Sequence, residues 1–498
     1  MFKNIKIQFF LSLLLVLNYG CSEDEGNYNY NAINEIAVTG VEKAYTAYSG
    51  EYFKITPNLN ATIDDGNNPD RYTYEWVVVS PSKILADPTS VILLATTKDL
   101  DGILKLPSGK YDVYYFVKDK VTGVTWQQKP FELNVISSIY EGWLAIGNVD
   151  GKARLDMVSI LPGIPEPRII TDVLDASGSA LKLSGSAVEV SCFGAATASS
   201  AYGVYVTATE SGTARLDPNS FGWTQSQNFA YETLGGAFPT DFGVDFMQTP
   251  GSGSENFVYS KGNIYYYYRP FNIKYGLPQN ILESETKPFY AAPFIATNSG
   301  ASGMPVFFNN DTRSFVRFSY SKGNCSPMPP VAGSTTTLDW NNTNSDLIYM
   351  TTSGFNGFES FAVLKNRSTG KYNLLRFSRT LVQSYYKEIL NAPEFDKATK
   401  FAVSPDSGYL FYAVGGKVYE YDNGTQSAKL MINKGSEEIT YIGFHAYARN
   451  ADKKLVVGSY GTTGKLELYT VPPVNGDLVL TDTYSGLCKI VDVAYRGR

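Results

Sequence analysis

The sequence predicts an all-β protein, an immunoglobulin-like sandwich at the N-terminus followed by a seven-bladed β-propeller. Three observations carry this prediction. Tyr, Phe and Trp make up 14% of the 498 residues, with 37 Tyr and 44 Gly, a composition typical of β-rich extracellular chains. From about Ile33 to Ile136 the chain consists of short runs in which apolar and polar residues alternate. From Tyr140 onward one hairpin pattern recurs about every 52 residues.

The sandwich rests on runs such as Tyr52 to Thr56, Tyr72 to Val79 and Lys110 to Val117. Each alternates and is bounded by Gly, Pro or Asp, which marks strands because successive strand side chains point to opposite faces. About seven such runs in roughly 100 residues suit two packed sheets. Trp76, on a central run, is assigned to the core between those sheets, covered by the strand that holds Tyr111.

The propeller rests on seven turns. They fall at Gly151, Gly212, Gly262, Asn310, Gly370, Gly416 and Gly464, each between two apolar or aromatic strands. One four-stranded blade needs about the observed interval, so seven hairpins mean seven blades. Ser404 to Phe411 resembles the Ser-x-Asp-x-Gly turn of propellers, in which the Asp side chain accepts backbone N–H groups. The alternating strand Lys489 to Tyr495 follows the last hairpin and is expected to complete the first blade beside Trp143 to Ile146, removing the open edge of the ring. Within Tyr265 to Tyr268, alternate members are expected to be buried. One helix is expected, Thr380 to Asn391, where Val382, Tyr385, Tyr386, Ile389 and Leu390 fall near one face and Pro393 follows.

The N-terminus reads as an export signal: Lys3 and Lys6 precede Phe9 to Leu17, apolar apart from Ser12. Spanning a bilayer takes about 20 apolar residues, so this run is too short. Gly20-Cys21 resembles a lipobox, which implies cleavage before Cys21 and acylation of its thiol. Ser22-Glu23-Asp24-Glu25 resembles the acidic tag that sends Bacteroidetes lipoproteins to the outer face of the outer membrane. The expected organisation is a lipoprotein signal over 1–20, a lipidated tether over 21–31, the sandwich over 32–138 and the propeller over 139–498.

Charge and motifs narrow the function. The formal charge of −6 becomes −8 when Lys3 and Lys6 leave with the signal, which argues against nucleic acid or anionic lipid as partner. Cys192, Cys325 and Cys488 form no C-x-x-C pair and read as buried thiols, with room for one opportunistic bridge. His445 is the single histidine, so no His-rich metal site is available, and it reads as a satisfied, partly buried side chain. No G-x-S-x-G, H-E-x-x-H or phosphate-binding glycine loop occurs, and no catalytic residue is assigned. The chain is therefore expected not to be an enzyme and to need no cofactor. Asp64, Asp65 and Asp70, with Asn67 and Asn68, offer oxygen donors to Ca²⁺, but their spacing misses the EF-hand pattern and a solvated loop is preferred. The ligand-binding candidates are Trp223, Trp340, Phe355 and Phe358, aromatic residues in polar, turn-rich segments where sugar faces or peptide side chains can stack.

Together the lipobox with its acidic tag, Gly26-Asn27-Tyr28-Asn29-Tyr30, the run from Tyr74-x-Trp76 to Val117-x-Asp119, Gly142-Trp143-Leu144 and the terminal Lys489 to Tyr495 resemble the PKD-like surface lipoproteins of Bacteroidetes. That resemblance implies a PKD-type sandwich and a place in a Sus-type, TonB-dependent uptake locus, beside a SusC-like porter and a SusD-like lipoprotein. It supplies no catalytic residues. The expected function is a non-catalytic accessory lipoprotein that captures oligopeptides or oligosaccharides. A propeller hydrolase or lyase acting on the same nutrients, and a purely structural subunit, are the alternatives.

Overall fold

In a computed structural model of the chain, the alternating runs become strands of two compact units, up to Ile136 and from Ser137. The structure describes residues 33–79, 91–161, 164–193, 203–234, 238–249, 255–268, 274–297, 304–446, 448 and 450–497. The signal, Cys21 and the tether lie outside them.

The N-terminal unit is a sandwich. Its larger sheet is built on Tyr72–Val79 and Gly109–Asp119, antiparallel with Trp76 opposite Tyr115. Phe131–Ile136 pairs antiparallel with Gly109–Asp119 and parallel with Ala44–Tyr48. Two short ladders, Ile36–Thr39 with Asn58–Ala61 and Tyr52–Ile55 with Leu100–Ile103, supply Ile36, Leu59, Ile55 and Leu100 to the same core. Trp76 is fully buried and stacks on Tyr115 at 4.1 Å between ring centroids, and its indole N–H donates to the carbonyls of Thr97 and Lys98. Truncating a buried ring of this size costs about 3–5 kcal/mol. At one end, the buried Asp119 carboxylate accepts from Arg71, Asn34 and the N–H groups of Val121 and Thr122. Arg71 and these donors hold its pKa well below the usual carboxylate range.

Among the described residues, the C-terminal unit holds seven sheets, and the propeller follows from how they close. Blade 1 is Gly142–Val149, Lys152–Ser159 and Arg168–Ile170, with Lys489–Arg496 on its inner edge. Blade 2 is Ala187–Phe193, Gly203–Ala208 and Gly212–Leu216, and blade 3 is Phe246–Gln248, Glu255–Ser260 and Asn263–Tyr268. Blade 4 is Val306–Asn309, Ser314–Ser319 and Asn324–Pro327, with bridges from Ala291 and Ala296 along its inner edge. Blade 5 is Ser345–Thr352, Ser360–Asn366, Tyr372–Phe377 and Gln383–Glu388. Blade 6 is Lys400–Val403, Leu410–Val414, Lys417–Asp422 and Ser427–Asn433. Blade 7 is Glu438–Gly443, Lys454–Tyr460, Gly464–Thr470 and Val479–Leu487. All seven sequence-marked turns join the second and third positions from the inner edge.

Apolar clusters fill the gaps between successive blades. Leu144 and Leu155 of blade 1 meet Val190 and Val204 of blade 2, and Tyr205 of blade 2 meets Val258 and Tyr265 of blade 3. Phe257 of blade 3 meets Phe307 and Phe318 of blade 4, and Phe308 of blade 4 meets Leu364 and Leu375 of blade 5. Phe361 of blade 5 meets Tyr412 of blade 6, and Phe411 of blade 6 meets Leu455 and Val457 of blade 7. Val456 and Leu466 of blade 7 return to Trp143 and Val493 of blade 1. The expected closing strand is in place: Lys489–Arg496 lies antiparallel to Gly142–Val149 with Trp143 opposite Tyr495.

Two local expectations are corrected. Thr380 to Asn391 is no helix: Gln383–Glu388 is the outer strand of blade 5, with Tyr386 opposite Leu375 and Tyr385 opposite Arg376. Leu381 has φ 61°, which breaks any helix there, and strand pairing satisfies the open backbone edge of Tyr372–Phe377. In the turn at Ser404, the Ser404 hydroxyl accepts the Ser407 N–H, while Asp406 pairs with Lys453 at 3.0 Å.

Candidate functional site

In each complete blade the innermost strand runs the same way along the axis, so the connections from first to second strand gather at one end. The inner strands, with residues from the connections of blades 5, 6 and 7, line a central cavity of about 910 Å³. A cavity of that size admits a ligand of a few residues or sugar rings.

At the mouth, Gly354 to Glu359 joins the first two strands of blade 5. Asn356, Gly357 and Phe358 all have positive φ, at 48°, 75° and 71°. For Phe this conformation is uncommon and persists only where surroundings enforce it. They do so here. The buried Glu359 accepts from Asn356 Nδ2 at 2.9 Å and from both Arg376 Nε and Nη2. Arg376 lies 5.0 Å from the Phe355 ring centroid, and Ser353 Oγ donates to the Ser404 carbonyl. Gly408 at φ 67° leaves the space that Phe355 fills, since a Cβ there would lie 2.9 Å from the ring. Phe355 is thus a wedge, and Phe358, 42% exposed, is held at the cavity mouth.

The other aromatic candidates lie elsewhere. Trp340 is fully buried among Phe315, Phe377 and Leu338, with its indole N–H donating to the Pro329 carbonyl, so it is a core residue and not a contact surface. The polar neighbours that suggested exposure cap the turn around it. Trp223 is half-buried on the cluster between blades 1 and 2, and its N–H donates to Asn228 Oδ1. Of the four candidates, only Phe358 lines the cavity.

Deeper in the cavity stand carboxyl groups from adjacent inner strands. Asp492 of blade 1 accepts the Val190 N–H of blade 2 at 3.0 Å, and Glu189 of blade 2 accepts the Met247 N–H of blade 3 at 2.5 Å. Burial, with Asp492 close by, pushes the Glu189 carboxyl well above its ordinary range. Burial raises Asp492 to about 6. From blades 5, 6 and 7 come Tyr349, Phe401 and Tyr441, with Tyr349 and Phe401 stacked at 5.3 Å. His445 also lines the cavity; its Nε2 is 3.0 Å from the Tyr441 hydroxyl, its ring is edge-on to Trp143, and burial lowers it to about 4, leaving it neutral at pH 7. Neither Glu189 nor Asp492 was singled out from sequence. Each had a signal, a lone acid inside an apolar strand: Ala187-Val188-Glu189-Val190 and Ile490-Val491-Asp492-Val493.

In the N-terminal unit, Asp64 Oδ1 accepts from the Gly66 N–H and the Tyr72 hydroxyl, and Asp65 accepts from the Asn67 N–H. Asp70 donates its own N–H to Asn68 Oδ1. Among the described residues, no group of three or more His, Cys, Asp and Glu side chains is arranged to hold a metal ion. Among the described residues, Cys192, Cys325 and Cys488 form no disulfide. No helix among the described residues is long and apolar enough to cross a membrane.

Residues 21–180 match the model of the PKD-like family, a match that runs past the sandwich into Gly142–Val149, Lys152–Ser159 and Arg168–Ile170. No curated protein matches the chain. Among solved structures, it is similar to a quinonprotein alcohol dehydrogenase-like protein from Bacteroides thetaiotaomicron at 11% identity, covering 91% of this chain and 96% of that one with a TM-score of 0.42. A protein from Lactobacillus plantarum is similar at 11% identity over 72% of this chain and 100% of that one, TM-score 0.43. The extracellular domain of a one-component system from B. thetaiotaomicron is similar at 11% identity over 59% of this chain, which spans 33% of that domain, TM-score 0.33.

Proposed function

We propose that this chain, PKD-like over residues 21–180, is a lipid-anchored protein of the outer cell surface that captures a nutrient oligomer, peptide or glycan, in the central cavity of its propeller. It acts as a non-catalytic accessory to a TonB-dependent importer, beside a SusC-like porter and a SusD-like lipoprotein. The observation that carries the capture step is Phe358, an exposed ring held in an uncommon backbone conformation at the mouth of a cavity of about 910 Å³. An aromatic side chain fixed in advance loses little freedom on binding, and that makes it an effective stacking surface.

The test is calorimetric titration of the purified protein with peptide and glycan oligomers. Ligands that bind the parent are expected to bind Phe358→Ala about tenfold more weakly, the loss of one aromatic contact. Equal affinity for the two proteins would remove the cavity mouth from the binding site. A second reading has its own observation: Glu189 and Asp492 are two carboxyl groups in one cavity with different environments, the arrangement of an acid–base pair in a hydrolase. Products released in the same incubations would favour that reading over capture alone.

A further inference from the structure

We infer that the cavity recognises a protonated amine on its ligand, held between the carboxyl groups of Asp492 and Glu189 and the aromatic rings of Tyr349, Phe401 and Tyr441. The inference rests on capture in this cavity and names the chemistry of what is captured.

Charge comes first. The side chains lining the cavity include five acids, Glu189, Asp245, Asp406, Asp452 and Asp492, against two lysines, Lys400 and Lys453. Lys453 is already paired with Asp406. Lys400 faces Asp492 from blade 6, yet among the described residues it forms no ion pair within 4.0 Å. Asp245 lies near Glu189 from blade 3 and spends one oxygen on the Lys261 N–H. Tyr441 faces Asp492 from blade 7, and desolvation holds its hydroxyl uncharged. Among the described residues no side-chain cation forms an ion pair with Asp492 or Glu189, and an enclosed site with an excess of acids concentrates cations.

Geometry comes second. Each of the two carboxyl groups bonds a backbone N–H of the neighbouring inner strand through one oxygen, Glu189 through Oε1 and Asp492 through Oδ2. Among the described residues, Glu189 Oε2 has no hydrogen-bond partner although the residue is only 5% exposed. Its outlet is the cavity. Tyr349 of blade 5 and Phe401 of blade 6 stand across the ring and Tyr441 of blade 7 stands beside Asp492, and an ammonium group is stabilised by carboxylate oxygens and ring faces together. An ammonium between the two carboxyls offsets the burial that raises Glu189, so binding shifts that carboxyl toward its ionised form and releases the fraction of a proton it held.

The experiment titrates the full chain at pH 7 with tetraglucosamine and tetraglycine, and with the N-acetylated form of each, in two buffers of different ionisation enthalpy. The amine form of at least one pair is expected to bind at least tenfold more tightly than its acetylated form and to release part of a proton. Which pair responds identifies the source, amino sugar or peptide N-terminus. Glu189→Gln keeps the oxygen that accepts the Met247 N–H, and it should abolish proton release with an unfolding temperature no lower than the parent's. Asp492→Asn should weaken the amine form tenfold and leave the acetylated form unaffected; if that variant does not fold, Glu189→Gln carries the test. Acetylated probes binding as tightly as the amines would overturn amine recognition while leaving capture intact. If none of these probes binds while other oligomers bind in a Phe358-dependent way, the inference is likewise overturned. Binding that is independent of Phe358 and of both carboxyls overturns the cavity as the site altogether.

Discussion

Residue chemistry separates side chains that the fold needs from those it tolerates. Glu420 belongs to the second kind. It is 2% exposed between blades 6 and 7, both carboxylate oxygens lack partners among the described residues, and desolvation raises it to about 7, with Lys429 acting against the shift. A carboxyl whose folded pKa lies above its unfolded value of 4.5 gives full stability below that value and loses it as pH rises through 7. Glu420→Gln is therefore expected to unfold at higher denaturant than the parent at pH 8, by up to about 3 kcal/mol, with the two curves coinciding near pH 4. Equal midpoints at pH 8 would show that Glu420 stays solvated. Aromatic residues show the limit of reading one position at a time. Trp340 and Phe358 both sit among polar residues in turn-rich sequence, yet one is core and the other stands at the cavity mouth. Their neighbours in space, Phe377 against Trp340 and the Glu359–Arg376 pair behind Phe358, decide the difference.

Elements were legible where period and turn chemistry agreed. The seven hairpins follow from Gly or Asn at turns between alternating strands, a local signal that needs no knowledge of neighbouring blades. Of Tyr265 to Tyr268 only Tyr265 is buried, so the expected alternation in burial does not hold; the side chains alternate between two apolar interfaces instead, Tyr265 and Tyr267 toward blade 2 and Tyr266 toward blade 4. Both faces of a blade are covered, so alternation there does not mean one wet side. The same fact misled the reading of Thr380 to Asn391. Tyr386 faces blade 4 and Tyr385 faces blade 6, and two covered faces leave adjacent aromatics that imitate a helical stripe. Glycines also mark close approaches. A Cβ on Gly464 would lie 1.8 Å from the Cys488 carbonyl oxygen, at the bend that leads into the closing strand. Gly464→Ala is expected to cost about 3 kcal/mol in equilibrium unfolding, because only backbone movement relieves that contact. An unchanged midpoint would show that the bend is loose.

For the whole molecule, the proposed function joins an anchor to a cavity. On the function proposed above, attachment at Cys21 would keep a binding protein at high local concentration near a membrane partner. Cys21→Ala is expected to take up no labelled fatty acid and to leave the membrane fraction, while its titration with the same oligomers matches the parent. Retention of label would move the anchor elsewhere. The ring closes because its first and last strands share one sheet. Asp156 accepts the Cys488 N–H at 2.7 Å, and Trp143 packs edge-on to Tyr495 at 4.8 Å. The sequence by itself determined the all-β class, the hairpin repeat and the returning strand, since period, turn residues and strand length are local properties of the chain. Only the tertiary structure decided which aromatic residues are exposed, and that Glu189 and Asp492 share a cavity with Phe358 at its mouth. Val190 and Asp492 are 302 positions apart and meet in one hydrogen bond. Contacts of that span depend on how each blade packs on the next, and no single stretch of sequence records them.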